Sequence, residues 1–122
     1  FCFNTALKLY IPVWKTALNQ YRPYLSLTDA YKAVNTVLKK NIFDRQIYNI
    51  LTSNFTVSQI INLIKKEKYR VKIKLTSSKI MNQLSYKVSK EKFEQYGVKL
   101  NGSIKKDIKQ TLALFKNIGS II

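Results

Sequence analysis

The chain has 122 residues, and its 22 lysines and arginines stand against only six acidic residues, which gives a net charge of +16. This length suffices for one domain with a modest core, and the 46% hydrophobic content predicts that the chain folds. A compact body of this charge repels itself, so the composition predicts a polyanionic partner, either nucleic acid or an anionic membrane surface. No apolar run approaches the roughly 18 residues needed to span a bilayer, and one cysteine without any histidine excludes an internal disulfide and a Cys/His metal site.

The first predicted element is a short helix from Pro12 to about Tyr21. Proline suits the first turn of a helix, where its missing N–H would have had no partner, and Pro23 would end the helix by restricting the residue before it. The side chains at the spacing of one helical face are Trp14, Ala17, Leu18 and Tyr21.

A second helix is predicted to begin at Ser26 and to run to about Lys40. Ser26 stands three residues before Asp29, which is the spacing of a capping box. The apolar stripe of this helix consists of Ala30, Ala33, Val34, Val37 and Leu38.

A short turn of helix is expected over Asp44 to Leu51, and a third helix over Val57 to about Lys68. Thr56 and Gln59 have capping-box spacing before the third helix, with an apolar residue on each side of the cap. Lysines crowd its last turn, where cations suit the helix dipole.

From Tyr69 to Leu75, apolar and basic residues alternate, which predicts a strand with one basic face. The stretch from 76 to 97, which includes Met81, favours no single element. A last helix is predicted to open near Asn101 or Ser103 and to close at Gly119. Its apolar face consists of Ile104, Ile108, Leu112 and Phe115.

Catalytic chemistry is not indicated by the pattern of acidic residues. The six acids are scattered along the chain, and Glu91 with Glu94 is best interpreted as a solvated pair among lysines. Only three glycines are present, and they form no Gly-rich phosphate loop. We therefore expect no enzyme, no cofactor and no metal.

The chemistry that remains is a basic surface interleaved with aromatic residues, which is typical of RNA binding through phosphates. Tyr69 and Tyr86 are candidates for stacking on bases, whereas Trp14, Tyr21 and Phe115 are expected in the core. The candidate RNA-binding residues are Lys15, Arg22, Lys32, Arg70, Lys72, Lys74, Lys105, Lys106, Lys109 and Lys116.

The order of several short motifs resembles the small-subunit ribosomal protein S-thirteen family. Ile11, Pro12 and Lys15 stand in that family's Ile-Pro-x-x-Lys pattern, and Ala17-Leu18 with Tyr21 resembles its first helix end. The last segment is similar to the family's basic helix start and Ile-Gly ending, in Gly102-Ser103-Ile104-Lys105-Lys106 and Ile118-Gly119.

The resemblance implies a mainly α, helix-two-turns-helix domain over residues 1–122, with a partly β, lineage-specific insertion at 69–96. It implies a structural constituent of the small ribosomal subunit that binds ribosomal RNA in the subunit head, contacts neighbouring head proteins and contributes to the bridge to the large subunit. The family's basic tail, which approaches transfer RNA, has no counterpart in this sequence. Residues with codons rich in A and T crowd the chain and favour a mitochondrial member, acting in the matrix on the mitochondrial ribosome.

Two alternative functions would also explain the positive net charge. A sequence-specific DNA-binding module would need base-reading side chains at the start of a groove-entering helix. Peripheral membrane attachment would need a basic amphipathic helix, and we expect no membrane partner.

Overall fold

The computed structural model describes residues 1–77 and 84–116 as an α/β structure. The helices are α1 (Cys2–Ala6), α2 (Leu27–Lys39), α3 (Val57–Lys66), α4 (Glu91–Glu94) and α5 (Ile104–Phe115), with a 3-10 turn at Lys15–Ala17. The strands are β1 (Tyr10–Trp14), β2 (Tyr21–Tyr24), β3 (Ser53–Thr56) and β4 (Lys72–Thr76).

The described strands form two separate two-stranded sheets. β1 and β4 are parallel, with Tyr10 opposite Lys72 and Trp14 opposite Thr76. Parallel strands cannot be joined by a tight turn, and here the connection includes α2, β3 and α3. β2 and β3 are antiparallel, with Tyr21 opposite Thr56. The two sheets are therefore linked through α3, which follows β3 directly.

Among the residues that the structure describes, three apolar clusters form the core. The largest joins α3 to α5, and its buried members are Ile60, Ile64, Ile104, Ile108 and Leu112. Ile61, on another side of α3, packs with Ile11 and Val13 of β1. The third cluster joins Ala33 of α2 to Phe93 and Leu100. Because α3 contributes to two clusters, it is the central helix of the fold.

The carboxylate of Asp29, fully buried in α2, ties three distant segments together. Its Oδ2 accepts hydrogen bonds from the Thr52 hydroxyl at 2.7 Å and from the Gly102 N–H at 2.8 Å. The Lys32 ammonium lies 3.5 Å from Oδ1, and Thr52 in turn accepts a 2.8 Å hydrogen bond from the Ser26 N–H. The network fixes the start of α2 against the segments that lead into β3 and α5.

The expectation of a mainly α, helix-two-turns-helix fold is wrong. The helix predicted from Pro12 to Tyr21 is replaced by β1, the 3-10 turn and β2. Ile11 and Val13 are buried while their neighbours are exposed, which is the period of a strand, and proline is tolerated in a strand at a sheet edge. Asp44 to Leu51 is irregular rather than helical.

Other predicted elements are confirmed. α2 and α3 begin where expected, and the capping box of Thr56 with Gln59 is formed. α5 begins after Ser103, whose hydroxyl accepts a hydrogen bond from the Lys106 N–H. The capping box predicted at Ser26 is wrong, because its hydroxyl makes no cap hydrogen bond. The proposed helix end at Gly119 and the ambiguous turn at Met81 lie outside the described residues.

The segment 69–96, predicted to be an insertion, supplies β4 and α4. β4 is the partner of β1, and Phe93 of α4 is buried in the third core cluster. The strand predicted from Tyr69 to Leu75 is confirmed with a later start, at Lys72.

Gly102→Ala should destabilise the chain, because an added Cβ would lie 2.7 Å from both Cβ and Oγ of Ser26 and 2.9 Å from Oδ2 of Asp29. We expect a loss of about 1–3 kcal/mol in the free energy of unfolding, measured by urea denaturation. Gly97→Asn is the control, since open space surrounds Gly97 and asparagine tolerates its positive φ of 78°. Equal losses in the two variants would contradict the packing argument.

Asp29→Ala should cost about 3 kcal/mol or more at neutral pH, because it leaves buried partners without their acceptor. Burial raises the pKa of Asp29, but the hydrogen bonds from Thr52 and Gly102 and the Lys32 charge outweigh it, so the pKa lies below its ordinary value. Because its pKa is lowered in the folded state, the ionised Asp29 stabilises the fold at pH values above its unfolded pKa of about 3.9. This stabilisation is lost as the pH falls through the folded-state pKa.

The difference in unfolding free energy between the parent chain and Asp29→Ala should therefore shrink from about pH 7 to about pH 3, measured by denaturation at both values. Glu91→Gln, at an exposed acid, is the control and should cost little at either pH. A difference that stays constant between these pH values would contradict the role of the ionised carboxylate.

Candidate functional site

Two cations meet two tyrosines and a serine along the outer edge of β2, and we name this group the aromatic–cationic cluster: Tyr21, Arg22, Ser85, Tyr86 and Lys87. The Arg22 guanidinium lies 5.1 Å from the centre of the Tyr86 ring. The Lys87 ammonium lies 4.3 Å from the centre of the Tyr21 ring. Both distances are within the range of cation–π attraction. The cluster therefore places two positive charges next to tyrosine rings.

Arg22 is further oriented by acceptors on both sides. Its Nη1 donates to the Tyr21 carbonyl at 2.7 Å and to the Leu84 carbonyl at 3.0 Å, and its Nη2 donates to Gln20 at 2.9 Å. The planar guanidinium is thus held at the sheet edge, half-buried. Burial raises the pKa of the nearby Tyr24 hydroxyl, and the positive charge of Arg22 offsets part of that rise.

The segment 84–90 is attached to the β2–β3 sheet by side chains rather than by a strand ladder. The amide of Asn54 in β3 donates to the Val88 carbonyl at 2.9 Å and accepts from the Val88 N–H at 3.0 Å. The Tyr21 N–H donates to the Ser85 hydroxyl at 3.0 Å. These bonds place Tyr86 and Lys87 beside β2.

A cavity of about 560 Å³ adjoins the cluster and shares Lys87 with it. This volume is within the range of small-molecule sites. Its polar lining includes Asn54, Lys87, Lys90 and Glu94. Lys90 is engaged at the cavity wall, since its ammonium donates to the carbonyls of Thr52 and Leu100 and lies 3.4 Å from Glu94. Lys87 is the lining cation that belongs to the cluster, whereas Arg22 lies in the cluster but does not line the cavity, and the carboxylates of Glu91 and Glu94 line its other part.

A second surface combines aromatic and basic residues on the outward face of the β1–β4 sheet. Tyr10, Pro12 and Trp14 are exposed on β1, opposite Lys72, Lys74 and Thr76 of β4. The Lys72 ammonium lies 5.7 Å from the centre of the Tyr10 ring. Trp14 was expected in the core and is exposed instead.

The structure distributes the predicted RNA-binding residues over several surfaces. Arg22 is in the aromatic–cationic cluster, and Lys72 and Lys74 share one face of β4. Lys32 serves the Asp29 network and also donates to Asn101 at 2.8 Å. The remaining candidates are exposed outside the cluster: Lys15, Arg70, Lys105, Lys106, Lys109 and Lys116.

The sequence interpretation missed Asn54, Lys87 and the cavity. The stretch around Lys87 has no clear period, and its contacts with β2 join residues more than 60 positions apart. Tyr86 was identified as an open candidate, and it is exposed in contact with Arg22. Tyr21 was assigned to the core and is half-buried under Lys87 instead.

A further titratable group joins Asp44 to Tyr48 and Tyr96. Both tyrosine hydroxyls donate to the Asp44 carboxylate. The hydrogen bond from Tyr48 is the main cause that lowers the pKa of Asp44, and the same bond raises the pKa of Tyr48. The group connects the loop after α2 to the residues around α4, so it has a structural explanation.

Within residues 1–77 and 84–116, no group of three or more acidic, cysteine or histidine side chains could hold a metal ion. In the same part of the chain, no helix combines the length and apolar character that crossing a membrane requires.

No protein-family model and no curated protein matches this chain. A solved structure does match, the crystal structure of UDP-glucose 4-epimerase from Thermus thermophilus in complex with NAD. The TM-score is 0.74 at 18% identity over 94% of this chain. This chain shares its fold with part of that epimerase. It spans 38% of the epimerase's length.

This match overturns the resemblance to the S-thirteen family and the function as a ribosomal constituent. The motif similarity was misleading because Ile11 and Pro12 lie in a strand and Lys15 in a 3-10 turn, where the family pattern leads into a helix. The predictions of a nucleic-acid partner, of a single domain and of mitochondrial localisation stay predictions.

Asn54→Ala should release the segment that carries Tyr86 and Lys87, since it removes both hydrogen bonds to Val88. We expect faster hydrogen exchange at the Val88 amide with little change in global stability. Asn62→Ala, at an exposed position of α3, is the control. Unchanged exchange at Val88 would show that Asn54 does not hold the segment.

Proposed function

We propose that this chain is the sugar-nucleotide-binding portion of an epimerase-like protein, and that it binds the diphosphate of its ligand at the aromatic–cationic cluster. The observation that carries the proposal is the fold shared with a UDP-glucose 4-epimerase over 94% of this chain. The ligand classes of that protein are a sugar nucleotide, from its name, and NAD, with which it was crystallised.

The sugar nucleotide is the better candidate of the two ligands. A dinucleotide-binding domain uses a multi-stranded parallel sheet and a Gly-rich turn against the pyrophosphate. The described strands form two-stranded sheets, and the chain's three glycines, Gly97, Gly102 and Gly119, are too widely spaced in the sequence for a Gly-rich turn. We therefore assign NAD to a different part of an epimerase-like protein.

The chemistry of the cluster fits a diphosphate. The Arg22 guanidinium, which the Tyr21 and Leu84 carbonyls and Gln20 hold in place, would contribute a permanent positive charge that attracts phosphate oxygens. Lys87 adds a second charge and borders a cavity large enough for a sugar. The exposed Tyr86 ring beside these cations is suited to contact a base or a sugar ring. Redox chemistry would then depend on the NAD-binding part, so this chain by itself is proposed as a binding module and not an enzyme.

The test is isothermal titration of the purified chain with UDP-glucose and, separately, with NAD. We expect binding of UDP-glucose that weakens as salt is added, because the main contacts are charged, and no comparable binding of NAD. Arg22→Ala should lower the affinity for UDP-glucose about 10- to 100-fold, the effect of losing hydrogen bonds to a charged group.

Two variants control this titration. Arg70→Ala removes an exposed arginine outside the cluster and should leave the affinity unchanged. Arg22→Lys keeps the charge but loses the guanidinium hydrogen bonds to Leu84 and Gln20 that position it, so its affinity should be intermediate. Preference for NAD over UDP-glucose, or equal losses in Arg22→Ala and Arg70→Ala, would refute the assignment.

A further inference from the structure

The outward face of the β1–β4 sheet combines exposed aromatic rings with lysines. Along β1, Ile11 and Val13 are buried while the residues on either side of them are exposed. Residues that pair across two strands point to the same side of a sheet, so the outward residues of β1 share a face with their partners on β4. We name this face the β1–β4 platform, and it consists of Tyr10, Pro12, Trp14, Lys72, Lys74 and Thr76.

The platform is supported from behind by the core. The inner side of the sheet packs on Ile61 of α3, and Ile73 of β4 joins the same cluster. Tyr10 and Trp14 point the other way, and 60% and 37% of their surfaces are exposed. They are four positions apart in one strand, which separates them by about 13 Å. Two rings held at this separation can each contact a different ring of a ligand.

The platform carries positive charge and no negative charge. Its charged residues are Lys72 and Lys74, and all six acidic residues of the chain lie elsewhere in the sequence. The Lys72 ammonium lies 5.7 Å from the centre of the Tyr10 ring, so a cation and an aromatic ring already stand side by side. Among the described residues, ion pairs are formed by Lys32 and Lys90 and not by the platform lysines. Their charge is therefore available to an anionic ligand.

We propose that the β1–β4 platform binds single-stranded nucleic acid. Unpaired bases stack on Tyr10 and Trp14, and Lys72 and Lys74 neutralise neighbouring phosphates. Surfaces that combine aromatic rings with basic side chains bind single strands in this way, because every base has a face that can stack. A duplex keeps its bases stacked on each other, so it offers these rings no partner.

The charge of the whole molecule favours a polyanionic ligand. A net charge of +16 attracts a phosphate backbone and steers it to the surface. The platform is separate from the site proposed for the sugar nucleotide, since none of its residues belongs to the aromatic–cationic cluster or lines the adjoining cavity. The inference therefore goes beyond the proposed function and does not depend on it.

Trp14 is the chain's only tryptophan, so its fluorescence reports on the platform. The purified chain is titrated with oligouridine and with oligothymidine of about 10 nucleotides, a length within the range of single-strand sites. Unlabelled strands serve for Trp14 fluorescence and end-labelled strands for anisotropy. We expect quenching of Trp14 together with a rise in anisotropy, and an affinity that falls steeply as salt is added. Either oligonucleotide that binds in this way supports the proposal, and comparison of the two shows whether the 2′-hydroxyl contributes.

Substitution of the rings locates the stacking. Tyr10→Ala and Trp14→Ala should each lower the affinity about 5- to 100-fold, the effect of losing one base stack. Trp14→Phe keeps a ring at the same position and should retain most of the affinity, so a loss confined to Trp14→Ala cannot come from misfolding. Tyr31→Ala removes an exposed ring from α2 and should leave the affinity unchanged.

Substitution of the lysines locates the phosphates. Changing both Lys72 and Lys74 to Gln should lower the slope of log affinity against log salt by about 1.4, because each phosphate contact with a single strand contributes about 0.7. Changing Lys105 and Lys109 to Gln removes the same charge from exposed positions of α5 and should leave the slope nearly unchanged.

The proposal is overturned if neither oligonucleotide binds at low salt, if binding leaves Trp14 fluorescence unchanged, or if Tyr31→Ala weakens binding as much as Tyr10→Ala. It is also overturned if a duplex of the same length quenches Trp14 equally, or if phosphatidylserine vesicles quench it and single strands do not. Excess UDP-glucose should not displace the oligonucleotide, and displacement would assign the platform to the sugar-nucleotide site instead. Failure of UDP-glucose to bind in the calorimetric titration would overturn the proposed function alone.

Discussion

The buried carboxylate of Asp29 is the interaction on which the arrangement of this fold depends. It joins the first turn of α2 to Thr52 and to Gly102, which are far apart in sequence. A buried charge is costly unless it is paired and hydrogen-bonded, and Lys32 with the two donors satisfies this requirement. The same group thus positions the segments that precede β3 and α5. Since β3 carries Asn54, the network also supports the segment that bears Tyr86 and Lys87.

The sequence allowed the later helices to be predicted because their signals are local. Thr56 and Gln59 lie within one turn of each other and form the capping box in the structure. The apolar spacing of Ile104, Ile108 and Leu112 likewise identifies a buried helix face. Such signals depend on neighbours along the chain, so they need no knowledge of the tertiary structure.

The first part of the fold was not predictable in the same way. Pro12 is compatible with a helix start and with an edge strand, and the choice depends on β4, which lies after two further helices. The aromatic–cationic cluster was also not predictable from local signals, since Arg22 and Tyr86 come into contact only when the chain is folded. Asp29 was predicted from its spacing to belong to a cap, but its carboxylate bonds with Thr52 instead. Tertiary contacts decided each of these positions.

The parallel pairing of β1 with β4 also bears on how the chain folds. The strands can meet only after the intervening chain has been brought together. Closing so long a loop costs conformational entropy before the hydrogen bonds between β1 and β4 can form. Local structure, such as α3 with its cap, can form much earlier. We therefore infer that β1 joins late in folding. Until then its apolar side chains, Ile11 and Val13, are available to other chains during synthesis, and this interval is the period of greatest exposure to aggregation.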